Sequence, residues 1–128
     1  MFPDNKHFLP FATICKVVDD ELKAAVWLEN YTGKSAVIHV AAKSNECDRK
    51  FLRTVFNYCF NDLKLTKLIG TVSSSNVRAT EFDKRLGFVE EYRIKDTEIN
   101  GDTIILTMTP SQCKLLRHTH GQESTEST

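Results

Sequence analysis

Asn76 stands where an apolar run, Leu68-Ile69-Gly70-Thr71-Val72, passes through Ser73-Ser74-Ser75 into a helix-forming stretch. An asparagine side chain offers both a donor and an acceptor. At the mouth of a strand–helix turn it can meet an extended polar ligand, or cap the helix, or do both. A second place with chemistry to offer is Lys43-Ser44-Asn45-Glu46-Cys47-Asp48-Arg49-Lys50, between another apolar strand and another helix. Free amides at a helix N-terminus, reinforced by the helix dipole, suit a pyrophosphate. Lys43, Arg49 and Lys50 add positive charge there, and Glu46 and Asp48 oppose it. The alternative is an ordinary capped helix start with acidic residues in its first turn.

The elements that must position these groups can be read from periodicity. Phe11 to Val18 reads as a strand, Asp19-Asp20 as a turn, and Lys23 to Tyr31 as a second strand with Val26, Trp27, Leu28 and Tyr31 as packing residues. Thr32-Gly33-Lys34 is a turn, and Ser35 to Ala42 is a third strand, apolar enough to be central and buried on both faces. Phe51, Leu52, Val55, Phe56, Cys59, Phe60 and Leu63 recur at helical period, and Ser44 or Asn45 can cap that helix. Thr66 to Val72 is a strand entered after a helical crossover, so a parallel neighbour is expected. A second helix runs from about Asn76 to Leu86, with Gly87 at its C-terminal left-handed position. Phe88 to Asp96 and Asp102 to Thr109 form a hairpin around Asn100-Gly101, and Pro110 starts a short helix or turn anchored by Leu115 and Leu116. The order is β-β-β-α-β-α-β-β: an α+β (α/β) domain whose mixed, mostly antiparallel sheet has a parallel join at its centre. One domain spans residues 1–117, with 1–10 as an N-terminal arm, and 118–128 is a polar, disordered tail.

The stretch Asn76-x-Arg78-Ala79 followed by Leu86-Gly87-Phe88, together with this element order, resembles the coenzyme-A half-site of the GNAT family of N-acetyltransferases. The resemblance covers about residues 11–109. It implies an acyl-CoA N-acyltransferase-like fold with helices on both faces of the sheet. It implies acetyl-CoA as co-substrate and an amine acceptor that attacks the thioester directly. Asn76 would bond the pantetheine arm, with Arg78 beside it. Asn45, Arg49 and Lys50 would meet the pyrophosphate. The backbone of Val40, Ala41 and Ala42 would bind pantetheine and polarise the acetyl carbonyl. Many family members carry a Tyr on the second helix as the acid for the leaving thiolate. At that position this chain has Asp83, which with an ordinary pKa near ~4 is ionised at neutral pH and needs a raised one to serve. Ser74 or Tyr92 could substitute, and no spacing selects between them. Candidate bases for the amine are Glu29, His39 and Glu90; a single His in the middle of a central strand, as His39 is, is more often a packed, hydrogen-bonded core residue than a base.

Three departures stand beside the resemblance. The loop after the third strand lacks the family's glycines, the Tyr is absent, and only about ten residues precede the first strand, where relatives place helices that line the acceptor pocket. They favour a second reading: a domain that kept the fold and lost the reaction, acting as a binding or structural module in a viral or other assembly. Phe2, Phe8, Leu9 and Phe11 make a homo-oligomer plausible, and the compactness is similar to phage-encoded family members.

Bulk properties narrow the rest. Lys+Arg equals Asp+Glu at 17 each, which argues against a dedicated nucleic-acid binder. The four cysteines, Cys15, Cys47, Cys59 and Cys113, have no CxxC spacing and read as free thiols in a reducing compartment. No metal is expected; the nearest candidate pair, His118 and His120, lies in the polar tail. No membrane span or secretory signal is visible, so a cytoplasmic location is expected, the host's cytoplasm if the chain is viral.

Overall fold

The computed structural model describes residues 11–43 and 45–116. The expected arm, tail and Ser44 cap lie outside the described residues. The elements are β1 (Ala12–Val18), β2 (Glu21–Glu29), β3 (Ser35–Ala42), α1 (Arg49–Asn57), a π-helical turn (Tyr58–Asp62), β4 (Lys67–Ser73), α2 (Val77–Leu86), β5 (Val89–Glu98) and β6 (Gly101–Met108). They form one six-stranded sheet in the order β1-β2-β3-β4-β6-β5. Every neighbouring pair is antiparallel except β3 and β4, which are parallel.

Alternation along the strands sorts the sheet into two faces. Ala24, Val26 and Leu28 of β2, Ala36 and Ile38 of β3, Leu68 of β4 and Ile104, Leu106 and Met108 of β6 are buried together. Phe51, Leu52, Val55 and Phe56 of α1 join this cluster, and Phe82 and Leu86 of α2 pack against it. The expectation of helices on both faces is thereby refined: both described helices bring their apolar residues to the same one. Two right-handed crossovers that step the same way across a sheet lie on the same face. From β3 to β4 and from β4 past β6 to β5, the steps run the same way. The opposite face presents Trp27, Val37, Ile69 and Ile105, all half-buried.

Several boundaries move for local reasons. Asn45 does not cap the first helix. Asp48 does it, its Oδ1 accepting from the Phe51 amide at 2.9 Å. Glu46 and Asp48 therefore precede the helix instead of lying in its first turn. The expected single helix widens into a π turn at Tyr58, which carries Cys59 and Phe60 into the core. In the last hairpin Gly101 opens β6, pairing with Glu98, and Ile99-Asn100 forms the turn. Ser74 Oγ lies where a Gly101 side chain would begin, and it accepts from the Asp102 amide at 2.8 Å. Gly87 has φ +120°, and a Cβ there would collide with the Gln112 carbonyl. Residues 112–116 close over the end of α2, where the Lys114 amide donates to the Leu86 carbonyl at 3.0 Å.

Candidate active site

The parallel ladder that joins the two halves of the sheet is short: Ser35, Ala36 and Val37 against Lys67, Leu68 and Ile69. Both strands continue past it. β3 stays paired with β2 as far as Ala42, and β4 stays paired with β6 as far as Ser73. Between these segments the strands part, so from Ile38 onward β3 offers backbone amides and carbonyls along its inner edge that have no strand partner among the described residues. Such groups call for a partner from elsewhere. A cleft of about 500 Å³ fills the gap. Leu52 and Phe56 of α1 and Ala79, Phe82 and Leu86 of α2 make its apolar walls, with Gly70 on β4. Ile38 and Val40 belong to the helix-covered face, whereas Trp27, His39, Thr71 and Ser73 belong to the other. The cleft therefore passes through the sheet.

Four of the candidate residues from the sequence line the cleft: His39, Val40, Asn76 and Asp83. Asn76 caps α2, its Oδ1 accepting from the Ala79 amide at 3.1 Å. Among the described residues its amide NH2 has no protein partner, so the cap leaves the donor side free. Asp83 is half-buried one face of the helix along, and burial pushes its carboxyl up to about 6. The value is therefore not the ordinary one, because desolvation in an apolar cleft disfavours the charged form, although most of the carboxyl stays ionised at neutral pH. His39 Nε2 lies 3.0 Å from Glu29 Oε1, and its ring stacks on Trp27 with centroids 5.4 Å apart.

The other candidates fall elsewhere. Ala41 and Ala42 are exposed and border a shallow hollow with Leu22, Ala24 and Lys43. Ser74 is tied to the β5–β6 hairpin by its bond to Asp102. Tyr92 is 64% exposed on the edge strand β5. Glu90, on the same strand, pairs with Arg93 at 3.2 Å. Asn45, Arg49, Lys50 and Arg78 are exposed outside the cleft lining. Arg49 and Lys50 form the first turn of α1, and Arg78 lies in the first turn of α2, so all three cations sit at the N-terminal ends of the cleft's two helices. The loop before α1 is knitted to β1 instead. Lys16 Nζ reaches Asp48 Oδ2 at 3.0 Å, Glu46 Oε1 at 3.1 Å and the Glu46 carbonyl at 3.0 Å. The Cys47 thiol is pushed up, first by burial and then by the charge of Asp48, so it stays protonated and is no nucleophile.

The sequence pointed to Trp27, Leu52 and Phe56 as packing residues only, and gave no sign that they face a cleft. A period-2 or period-3.6 pattern reports that a side chain is covered, not by what.

No family model matches the sequence, and no curated protein matches it. Solved structures do. The spermidine/spermine N-acetyltransferase SpeG from Vibrio cholerae in complex with manganese ions is 24% identical, with TM-score 0.67 over 82% of this chain and 69% of that one. Mutant forms of the same enzyme give TM-score 0.69 at 22% identity, over 97% of this chain and 76% of that one. The Campylobacter jejuni N-acetyltransferase PseH, solved with acetyl coenzyme A, gives TM-score 0.57 at 21% identity, over 72% of this chain and 62% of that one. With its parted parallel strands and the capped helix beside them, this chain has the fold of the GNAT N-acetyltransferases.

Proposed function

We propose that the chain is an acetyl-CoA-dependent N-acetyltransferase acting on an amine. The parting of β3 from β4 carries this reading, because it leaves a row of strand amides and carbonyls facing a cleft deep enough for an extended amide chain. Pantetheine is such a chain, with amides that can pair with a strand edge. The fold it shares with PseH, solved with acetyl coenzyme A, supports the choice. Acetyl-CoA would supply an acetyl thioester open to attack by an amine. Asn76 would donate its free NH2 to the pantetheine arm. The β3 edge at Ile38–Val40 would hold that arm and offer an amide to the developing oxyanion. Arg49, Lys50 and Arg78 would face the phosphates through their side chains, since the loop before α1 has no glycine to bring its amides close. Asp83 would protonate the leaving thiolate. With its carboxyl raised to about 6, a share near one tenth is protonated at pH 7, and that share falls about tenfold per pH unit above.

A second reading, a module that keeps the fold without the reaction, is favoured by one observation. Asp48 already occupies the α1 N-terminus, and Lys16 is committed to Asp48 and Glu46 instead of to a phosphate. Calorimetric titration with acetyl-CoA and with CoA separates the two. Saturable micromolar binding, followed by acetylation in a screen of amines including spermidine, supports the enzyme. No binding up to millimolar concentration supports the module.

A further inference from the structure

His39 is the one imidazole among the described residues, and a core role does not account for its surroundings. It sits on β3 beyond the last pairing with β4. It belongs to the sheet face opposite the helices, yet it lines the cleft because the sheet is open there. Glu29 and Trp27, on the same face of β2, hold it from two sides. The Glu29 carboxylate can only accept, so the hydrogen of the 3.0 Å contact is on Nε2. In the neutral ring this selects the tautomer that leaves Nδ1 with a lone pair, for which the described residues provide no donor. Stacking on Trp27 fixes the plane of the ring. An imidazole on a cleft wall, with one nitrogen held by a carboxylate and the other without a partner among the described residues, is the arrangement of a positioned base.

We infer that His39, positioned by Glu29 and Trp27, is the base that takes the proton from the attacking amine, and that the acceptor reaches the thioester from the Trp27 face of the sheet. This rests on the acetyl-transfer reading. In the step, the amine nitrogen bonds to the acetyl carbonyl carbon, and the C–S bond breaks with its electron pair going to sulfur. The ammonium proton of the adduct goes to His39 Nδ1, and the sulfur receives a proton from Asp83 or from solvent. The two sides of the cleft thereby divide the work: the helix-covered side serves the thioester donor and its leaving group, and the open side serves the nucleophile.

The test uses the whole chain with His39→Gln and Glu29→Gln. Acetyl-CoA affinity is measured first, and both variants are expected to match the unaltered protein, which also shows that they fold. If His39→Gln loses binding, His39→Phe, which keeps a ring on Trp27, takes its place. Acetyl-CoA consumption is then followed with spermidine, and with water as the sole nucleophile, from about pH 5.5 to about 9. The expected result is a fall in kcat of about 100-fold or more for His39→Gln, with an unchanged KM for acetyl-CoA. The acid limb of the pH profile should disappear with it. Glu29→Gln should lose about tenfold and keep that limb. Glu29 from β2 is the titratable group in contact with His39, and Asp83 from α2 is the other one that lines the cleft. Asp83 is active when protonated, so it shapes the alkaline limb and cannot mimic the acid one. Activity within about threefold of the unaltered protein, with the acid limb intact, overturns the assignment. So does acetyl-CoA binding without turnover by either nucleophile, which leaves the cofactor site standing. Absence of acetyl-CoA binding overturns both readings.

Discussion

Asn76 shows how one side chain can carry two roles that substitutions can separate. Asn76→Ala removes the cap and should lower stability by about 1 kcal/mol in chemical denaturation. Asn76→Asp keeps an acceptor for the Ala79 amide and should leave stability near its original value. If Asn76 also holds pantetheine, both variants should weaken acetyl-CoA binding by about 1–2 kcal/mol, since both lack the NH2. If it is a cap alone, Asn76→Asp should bind as the unaltered protein does. Asp83 allows a second residue-level prediction. Its folded-state carboxyl is raised to about 6, so it favours folding below its unfolded value near 4, and that contribution is lost as pH rises through about 6. Asp83→Asn should therefore raise the unfolding free energy at pH 8 by about 1–2 kcal/mol, discounted for partial exposure, and change it little at pH 4. Thermal melts at the two pH values check the sign. The sequence placed Asn76 and Asp83 on the right helix but could not give the state of Asp83. Its desolvation comes from burial beside a cleft that only the folded chain forms.

Elements were legible where local chemistry sets them. Gly87 after Leu86, the Asp19-Asp20 turn with both residues at positive φ, and the helical stripe from Phe51 to Phe60 all follow from the identities of neighbouring residues. The structure adds that Gly87 is also hemmed in by the Gln112 backbone. Gly87→Ala combines a strained φ with a backbone collision and should destabilise by about 2–4 kcal/mol, read as a lower denaturation midpoint. Gly70, on the cleft wall, differs. A Cβ there would only touch Ile38 Cγ2 at 3.9 Å. Gly70→Ala should leave stability unchanged or slightly raised, by about 0.5 kcal/mol, while narrowing the cleft and reducing acetyl-CoA affinity in titration. Cap positions were less legible. Ser44, Asn45 and Asp48 are all competent caps, and the choice of Asp48 goes with Lys16 on β1, a contact across 32 residues of sequence.

At the scale of the whole molecule the charges have a common direction. The Asp48 carboxyl is held below its usual range by the Phe51 amide and then Lys16, and that of Glu21 by Lys43 and Lys23. Arg93 does the same for Glu90, the Thr107 hydroxyl and Lys67 for Glu91, and the Asp96 amide for Asp102. Depressed carboxyls stabilise the fold above their unfolded value near 4, and that stability is lost as pH falls further. Thermal midpoints should therefore drop from pH 4 toward pH 2, opposite in sign to the effect of Asp83. Raising ionic strength should reduce this drop, because these pairs are exposed. The fold class, the strand and helix order and the parallel join at β3–β4 were determined by the sequence itself, since periodicity, turn residues and crossover rules act over a few residues at a time. The length of that join was not. That β3 and β4 part after Val37 and Ile69, that Trp27 and His39 open onto the gap, and that Glu29 grips the imidazole depend on how two halves of a sheet twist past each other, and only tertiary packing decides that.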